Sequence, residues 1–121
     1  MTEITIYLED EVACCRYLKI EAKGHANYAK QGHDIVCASL STALQYGARL
    51  IDRFTEDFEY KVHEKDGIIT LLLPNGHSYN DSVFKVCDEL ETVLREIAEQ
   101  YPDYVKINVR YVQREDLDNG I

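Results

Sequence analysis

The sequence lacks tryptophan and has only two prolines and six glycines among its 121 residues. It also lacks low-complexity tracts and internal repeats, so we expect one domain over residues 1–121 and no linker. The longest largely apolar run, residues 68–74, is far shorter than the ~20 residues of a membrane-spanning helix. The N-terminal residues are acidic and do not resemble a secretion signal. These absences predict a cytoplasmic protein that does not bind membranes.

Positive charge is scarce, with 13 basic residues against 22 acidic ones and a formal net charge of −9. Binding to nucleic acid phosphates requires clustered Lys and Arg, so a direct nucleic-acid partner is not expected. A basic protein or peptide fits this charge better, although the same charge could serve solubility alone.

Cysteine is present four times, but a reducing compartment favours free thiols over disulfides. The adjacent Cys14 and Cys15 would also point to opposite faces of a strand. The histidines His33, His63 and His77 could be imagined as zinc ligands together with Cys37. No Cys-x-x-Cys or His-x-x-x-His pair anchors such a site, so a metal is not expected.

Hydrophobic periodicity predicts five strands and two long helices in the order ββαββαβ. The predicted strands cover about 4–8, 18–22, 58–62, 68–73 and 105–111, and the helices run from 34 to 55 and from 78 or 80 to 101. Tight hairpin connections exclude an all-parallel sheet. The fold class is therefore α+β, with a mixed, largely antiparallel sheet, and the pattern leaves two-layer and three-layer packing open.

The same periodicity predicts which side chains are buried. The first helix is expected to bury Val36, Leu40, Ala43, Gly47, Leu50 and Phe54, and the second Val83, Cys87, Leu90, Leu94 and Ile97. Cys14 and Cys87 are accordingly interpreted as core residues. The acidic C-terminal segment 115–118 is interpreted as a solvated tail.

The segment before and within the first helix contains the residues best suited to chemistry. Asp34 is a good N-cap, which would place Cys37 in the first helical turn, where backbone N–H groups lack internal partners. Such a position favours a thiolate, which is a strong nucleophile, and the free N–H groups could stabilise an oxyanion.

His25 is the candidate general base for this thiol. It is close enough in sequence to fold back over the helix start, and Gly24 and Gly32 give the intervening loop conformational freedom. His33 is an alternative base. A purely structural interpretation also exists, in which Cys37 is a small core residue and Asp34 only a cap.

The order and spacing of Gly24-His25-Ala26, Gly32 and Asp34-Ile35-Val36-Cys37-Ala38 resemble the signature of the ribosomal-processing cysteine protease family, Prp. The resemblance implies a small, usually dimeric α+β domain without a cofactor. It implies that His25 and Cys37 form the catalytic dyad. Gly24, Gly32, Asp34 and Ser41 match supporting positions around that dyad.

The resemblance further implies removal of an N-terminal extension from a large-subunit ribosomal protein, the bacterial L-series protein numbered twenty-seven. The basic character of that substrate agrees with the acidity of this chain. Two other functions remain open at this stage. One is a thiol-dependent acyl transferase that uses the same Cys/His pair, and the other is a non-enzymatic ribosome-assembly adaptor with Cys37 as a packing residue.

Overall fold

The computed structural model describes residues 1–11, 16–24 and 31–118. Its order is ββαββαβ, as predicted, followed by a short C-terminal helix. The strands are β1 (Thr2–Glu9), β2 (Tyr17–Lys23), β3 (Glu59–His63), β4 (Ile68–Leu72) and β5 (Val105–Val112). The helices are α1 (Gln31–Phe54), α2 (Asp81–Gln100) and α3 (Arg114–Asp118), with a 3₁₀ turn at Gly76–Ser78.

The five strands form one mixed sheet in the order β3-β4-β2-β1-β5. Three neighbouring pairs are antiparallel, and only β1 and β5 run parallel. The predicted α+β class with a largely antiparallel sheet is confirmed. The apolar strand β4 lies inside the sheet, and β2 occupies its centre.

The main core lies between one face of the sheet and the two long helices. Ile4 and Ile6 of β1 and Leu71 of β4 are fully buried there. Helix α1 contributes Val36, Leu40, Leu44, Ala48 and Ile51. The predicted stripe was partly wrong, because Ala43 and Leu50 are only half-buried and Phe54 is 45% exposed. The sheet buries the neighbouring stripe, whereas Ala43, Gly47 and Leu50 lie toward α2.

Helix α2 begins and ends as the sequence predicts. The Asn80 side chain caps it by accepting a 2.9 Å hydrogen bond from the Val83 N–H, and its amide donates to the Phe54 carbonyl at 2.8 Å. The helix ends at Gln100, ahead of Pro102. Four of its predicted core residues are buried, namely Val83, Cys87, Leu90 and Leu94, while Ile97 is half-buried.

The interpretation of residues 115–118 as a solvated tail is wrong. These residues belong to α3, and Leu117 packs against Tyr7, Leu18 and Val112 on the sheet face opposite the main core. Arg114, at the start of α3, donates a 2.8 Å hydrogen bond to the Leu73 carbonyl. The acidic composition of this segment gave no sign that Leu117 is packed. Its contact with the sheet stabilises the position of α3.

Cys37 and Cys87 are thiols and not disulfides, as predicted, while Cys14 and Cys15 lie outside the described residues. Cys87 is fully buried in the main core. Its burial, and then the neighbouring Asp88 carboxylate, raise its pKa to about 12. Among the described residues, no helix is long and apolar enough to span a membrane.

We expect Cys87 to resist alkylation in the native protein at pH 8. Its pKa is about 12 instead of 9.0, which lowers its thiolate fraction by roughly 1,000-fold. Peptide mapping by mass spectrometry after iodoacetamide treatment, with and without denaturant, measures this difference. Equal labelling of Cys87 in the two conditions would contradict the expectation.

Candidate active site

Helix α1 begins at Gln31, three residues before the predicted start. Asp34 is therefore not the N-cap, and Cys37 is the seventh helical residue, in the second turn. A capping side chain contributes only ~1 kcal/mol, so it does not by itself fix where a helix begins. In a regular helix the N–H of residue 37 bonds the carbonyl of residue 33, so it is not an unpaired oxyanion donor. The helix dipole also acts mainly within the first turn, and its effect on Cys37 is correspondingly smaller.

Cys37 lines an open cleft of about 280 Å³ between α1 and one end of the sheet. Ser41, one helical turn later, lines the same cleft, and so does Gly24 at the end of β2. The structure thus brings together three of the predicted site residues. The walls of the cleft include the apolar side chains of Leu40, Leu44, Val62 and Ile69.

Gly24 lies close to Thr2 in β1 and to Gly67 in the turn between β3 and β4. Its N–H donates a 3.0 Å hydrogen bond to the Gly67 carbonyl in the β3–β4 turn. A Cβ atom at position 24 would lie 2.6 Å from Thr2 Oγ1 and 2.8 Å from Thr2 Cα. Glycine is therefore required here by close approach to Thr2, and not only by the loop freedom proposed from the sequence. The backbone is fixed at the residue directly before His25.

Substitution of Gly24 by Ala should destabilise the protein by about 2 kcal/mol, because the new methyl group meets backbone atoms that cannot move independently. Gly47→Ala is the matched control. Its Cβ would lie 2.8 Å from Leu90 Cδ2, but that side chain can shift, and alanine favours a helix by ~1 kcal/mol. Urea denaturation of both variants measures the difference. Equal losses of unfolding free energy in the two variants would contradict the requirement for glycine at position 24.

Asp66 and Gly67 lie in the tight turn that joins β3 to β4, with Gly67 at a φ of 65°. This turn and the end of β3 place His63 and Glu64 in the lining of the cleft. The sequence indicated His63 only as a possible metal ligand and did not predict its position in the cleft. The missing information was the pairing of β2 with β4. Lys23 pairs with Ile68, and this pairing places the β3–β4 turn beside Gly24.

His25 lies outside the described residues, and so do the side chains of His33 and Asp34. Gly32 is part of α1. Within the ranges that the structure describes, no group of three His, Cys, Asp or Glu residues is placed to hold a metal ion. The described part of the site therefore offers a half-buried cysteine thiol, the Ser41 hydroxyl and an apolar cleft open to solvent.

Two bacterial structures share this fold over nearly the whole chain. A ribosomal processing protease Prp from S. aureus, solved with a substrate peptide, is 22% identical, with a TM-score of 0.78 and coverage of 91% of this chain and 100% of that one. A Streptococcus mutans protein is 20% identical, with a TM-score of 0.78 and coverage of 93% and 96%. No curated protein matches the sequence.

The sequence itself matches a family model described as cysteine protease Prp over residues 1–106. The match includes both the segment from Gly24 to Ser41 and all of the strands and helices that surround the cleft up to the start of β5. The resemblance seen in the sequence is confirmed, and the chain belongs to the cysteine protease Prp family.

Proposed function

We propose that this cysteine protease removes the N-terminal extension of bacterial large-subunit ribosomal protein twenty-seven in the cytoplasm, with Cys37 as nucleophile and His25 as base. The observation that carries the proposal is the position of Cys37 in an open cleft whose lining also includes Gly24. Since His25 directly follows Gly24 in the sequence, the proposed base is one residue away from a residue that lines the cleft.

The reaction needs two covalent steps. The Cys37 thiol gives its proton to the His25 imidazole, and the sulfur attacks the carbonyl carbon of the scissile peptide bond. When the tetrahedral intermediate collapses, the C–N bond breaks and the imidazolium protonates the leaving amine. Water then attacks the resulting thioester with His25 again as base, which releases the acid product and restores the thiol.

We propose supporting roles for three further residues. Ser41 is exposed in the cleft one turn after Cys37, where its hydroxyl can hydrogen-bond to the peptide backbone of the substrate. We propose that Asp34 orients His25. Gly32, within α1, permits the close approach of the substrate or loop at the beginning of the helix.

The cleft suits an apolar side chain next to the scissile bond. Leu40, Leu44, Val62 and Ile69 supply an apolar wall, and apolar pockets with a few polar groups are typical of sites that select a side chain. The S. aureus relative is a ribosomal processing protease that was solved with a substrate peptide. The net charge of −9 would speed encounter with a basic ribosomal protein.

The deciding experiment incubates the purified protein with the ribosomal protein precursor from its own organism and maps the new N-terminus by mass spectrometry. We expect one cut, beside an apolar or aromatic segment that precedes the basic mature start. Higher salt should lower the capture rate without moving the cut. An intact precursor, with Cys37 reduced and reactive, would favour the transferase or the adaptor.

We also propose that the protein is a homodimer. The support is the alternation of apolar and polar residues in the strands, together with the dimeric state that the family resemblance implies. Light scattering at micromolar concentration should then show twice the 14.0 kDa chain mass. A single 14 kDa species at that concentration would contradict the dimer.

A further inference from the structure

A second cavity lies against the same helix and the same strand as the cleft that contains Cys37. This cavity has a volume of about 340 Å³. Helix α1 supplies Gln45, Ala48, Arg49 and Asp52 to it, and the chain around β3 supplies Phe58 and Tyr60. We call these six residues the α1–β3 groove.

The cleft and the groove lie on the same stripe of α1 and beside the same strand. Along the helix, Ser41 and Leu44 of the cleft are followed after four residues by Gln45 and Ala48 of the groove. Along the strand, Val62 of the cleft is followed after two residues by Tyr60 of the groove. The chain reverses direction between α1 and β3. The later residues of α1 therefore lie beside the earlier residues of β3, and the groove residues of both elements fall at the same end.

The length of this surface suits an extended peptide. The helical path from Ser41 to Asp52 covers ~16 Å at 1.5 Å per residue. The strand path from Val62 to Phe58 covers ~13 Å, about the length of four extended residues. A peptide whose scissile bond lies at Cys37 can therefore place several further residues against α1 and β3.

Strand β3 has an edge available for such a peptide. Among the described strands it is terminal in the sheet and pairs with β4 on one side only, and each of its residues is exposed. Tyr60 pairs with Leu71 of the main core, and Val62 pairs with Ile69, which packs against that core. All four side chains therefore share the face toward the helices. Tyr60 and Val62 nevertheless remain 37% and 47% exposed. Exposed strand edges bind extended peptides through main-chain hydrogen bonds, with alternate side chains giving specificity.

We propose that the substrate peptide binds in extended form along β3, with residues on one side of the scissile bond in the α1–β3 groove. This assignment rests on the proposed function. The groove selects an apolar or aromatic side chain, because Ala48, Phe58 and Tyr60 supply its apolar surface. Arg49 and Asp52 offer charges of both signs and so favour neither an acidic nor a basic substrate residue.

The test measures peptide affinity in the inactive Cys37→Ala protein by fluorescence anisotropy. The probe is a labelled peptide with the sequence around the cleavage site of the precursor, long enough to pass the groove on either side. Two further peptides are shortened on one side each. Gln45→Trp fills the groove from an exposed position of α1, and Thr42→Trp places the same side chain at another exposed position of α1 outside the groove. Tyr60→Ala is a second groove variant.

Gln45→Trp should raise the Kd of the long peptide by about tenfold, which corresponds to ~1.4 kcal/mol, and Thr42→Trp should leave it unchanged. One of the two shortened peptides should bind to the parent protein as weakly as the long peptide binds to Gln45→Trp. Gln45→Trp should not raise the Kd of that shortened peptide any further. Tyr60→Ala should repeat the loss. Equal Kd values for Gln45→Trp, Thr42→Trp and the parent would overturn the groove assignment alone. Failure of the wild-type protein to cleave the long peptide would overturn the proposed function and the assignment together.

Discussion

Cys37→Ala should reduce cleavage of the ribosomal protein precursor to background, a loss on the order of 10⁵-fold in kcat. The substitution removes the sulfur that we propose as nucleophile. No other described cysteine lines the cleft, because Cys87 is buried in the core with its pKa raised to about 12. The fold should survive, since Cys37 is only partly buried and alanine is a good helix former. A time course with mass-spectrometric detection, together with a thermal melt, measures both expectations.

Two matched variants sharpen this prediction. Cys37→Ser keeps nearly the same shape but should also be almost inactive, because a hydroxyl has a far higher pKa than a thiol and is a weak nucleophile without strong activation. Cys87→Ala removes the buried thiol and should keep full activity, although the small cavity will lower stability. Cleavage by purified Cys37→Ala at a rate near that of the parent would refute the assigned nucleophile.

The strand and helix order was predictable because local signals agree with the tertiary structure. Strand alternation, the Asp66-Gly67 turn and the Asn80 cap each act over a few residues. The C-terminal segment was mispredicted for a different reason. Leu117 is one apolar residue among acids, and its partners Tyr7 and Leu18 lie about a hundred residues away in sequence.

The candidate site was predictable in its residue types and less so in its geometry. The motif pointed to Cys37, Ser41 and Gly24, which line one cleft. The start of α1 was placed too late, because the Asp34 cap signal is weak compared with the tertiary contacts that anchor a helix. His63 and Glu64 reach the cleft only through the pairing of β2 with β4. Sequence periodicity gives strands but does not give their order in a sheet.

The start of α1 also changes how the thiol must be activated. In the first turn, Cys37 would have gained from unpaired N–H groups and from the helix dipole. In the second turn both effects are smaller, so a greater share of the activation falls on a base. The oxyanion must likewise be stabilised by groups other than the N–H of residue 37.

His25→Ala should therefore slow acylation by at least about 100-fold, the lower range for losing a general base, and added imidazole should restore part of the rate. Restoration by a small base separates loss of proton transfer from loss of structure. The rival bases are His63, which lines the cleft, and His33, which lies in the first turn of α1. Single-turnover kinetics should show much smaller losses for His63→Ala and His33→Ala, without rescue by imidazole. A larger, imidazole-rescued loss in His63→Ala would instead make His63 the base and leave His25 with a role in substrate binding.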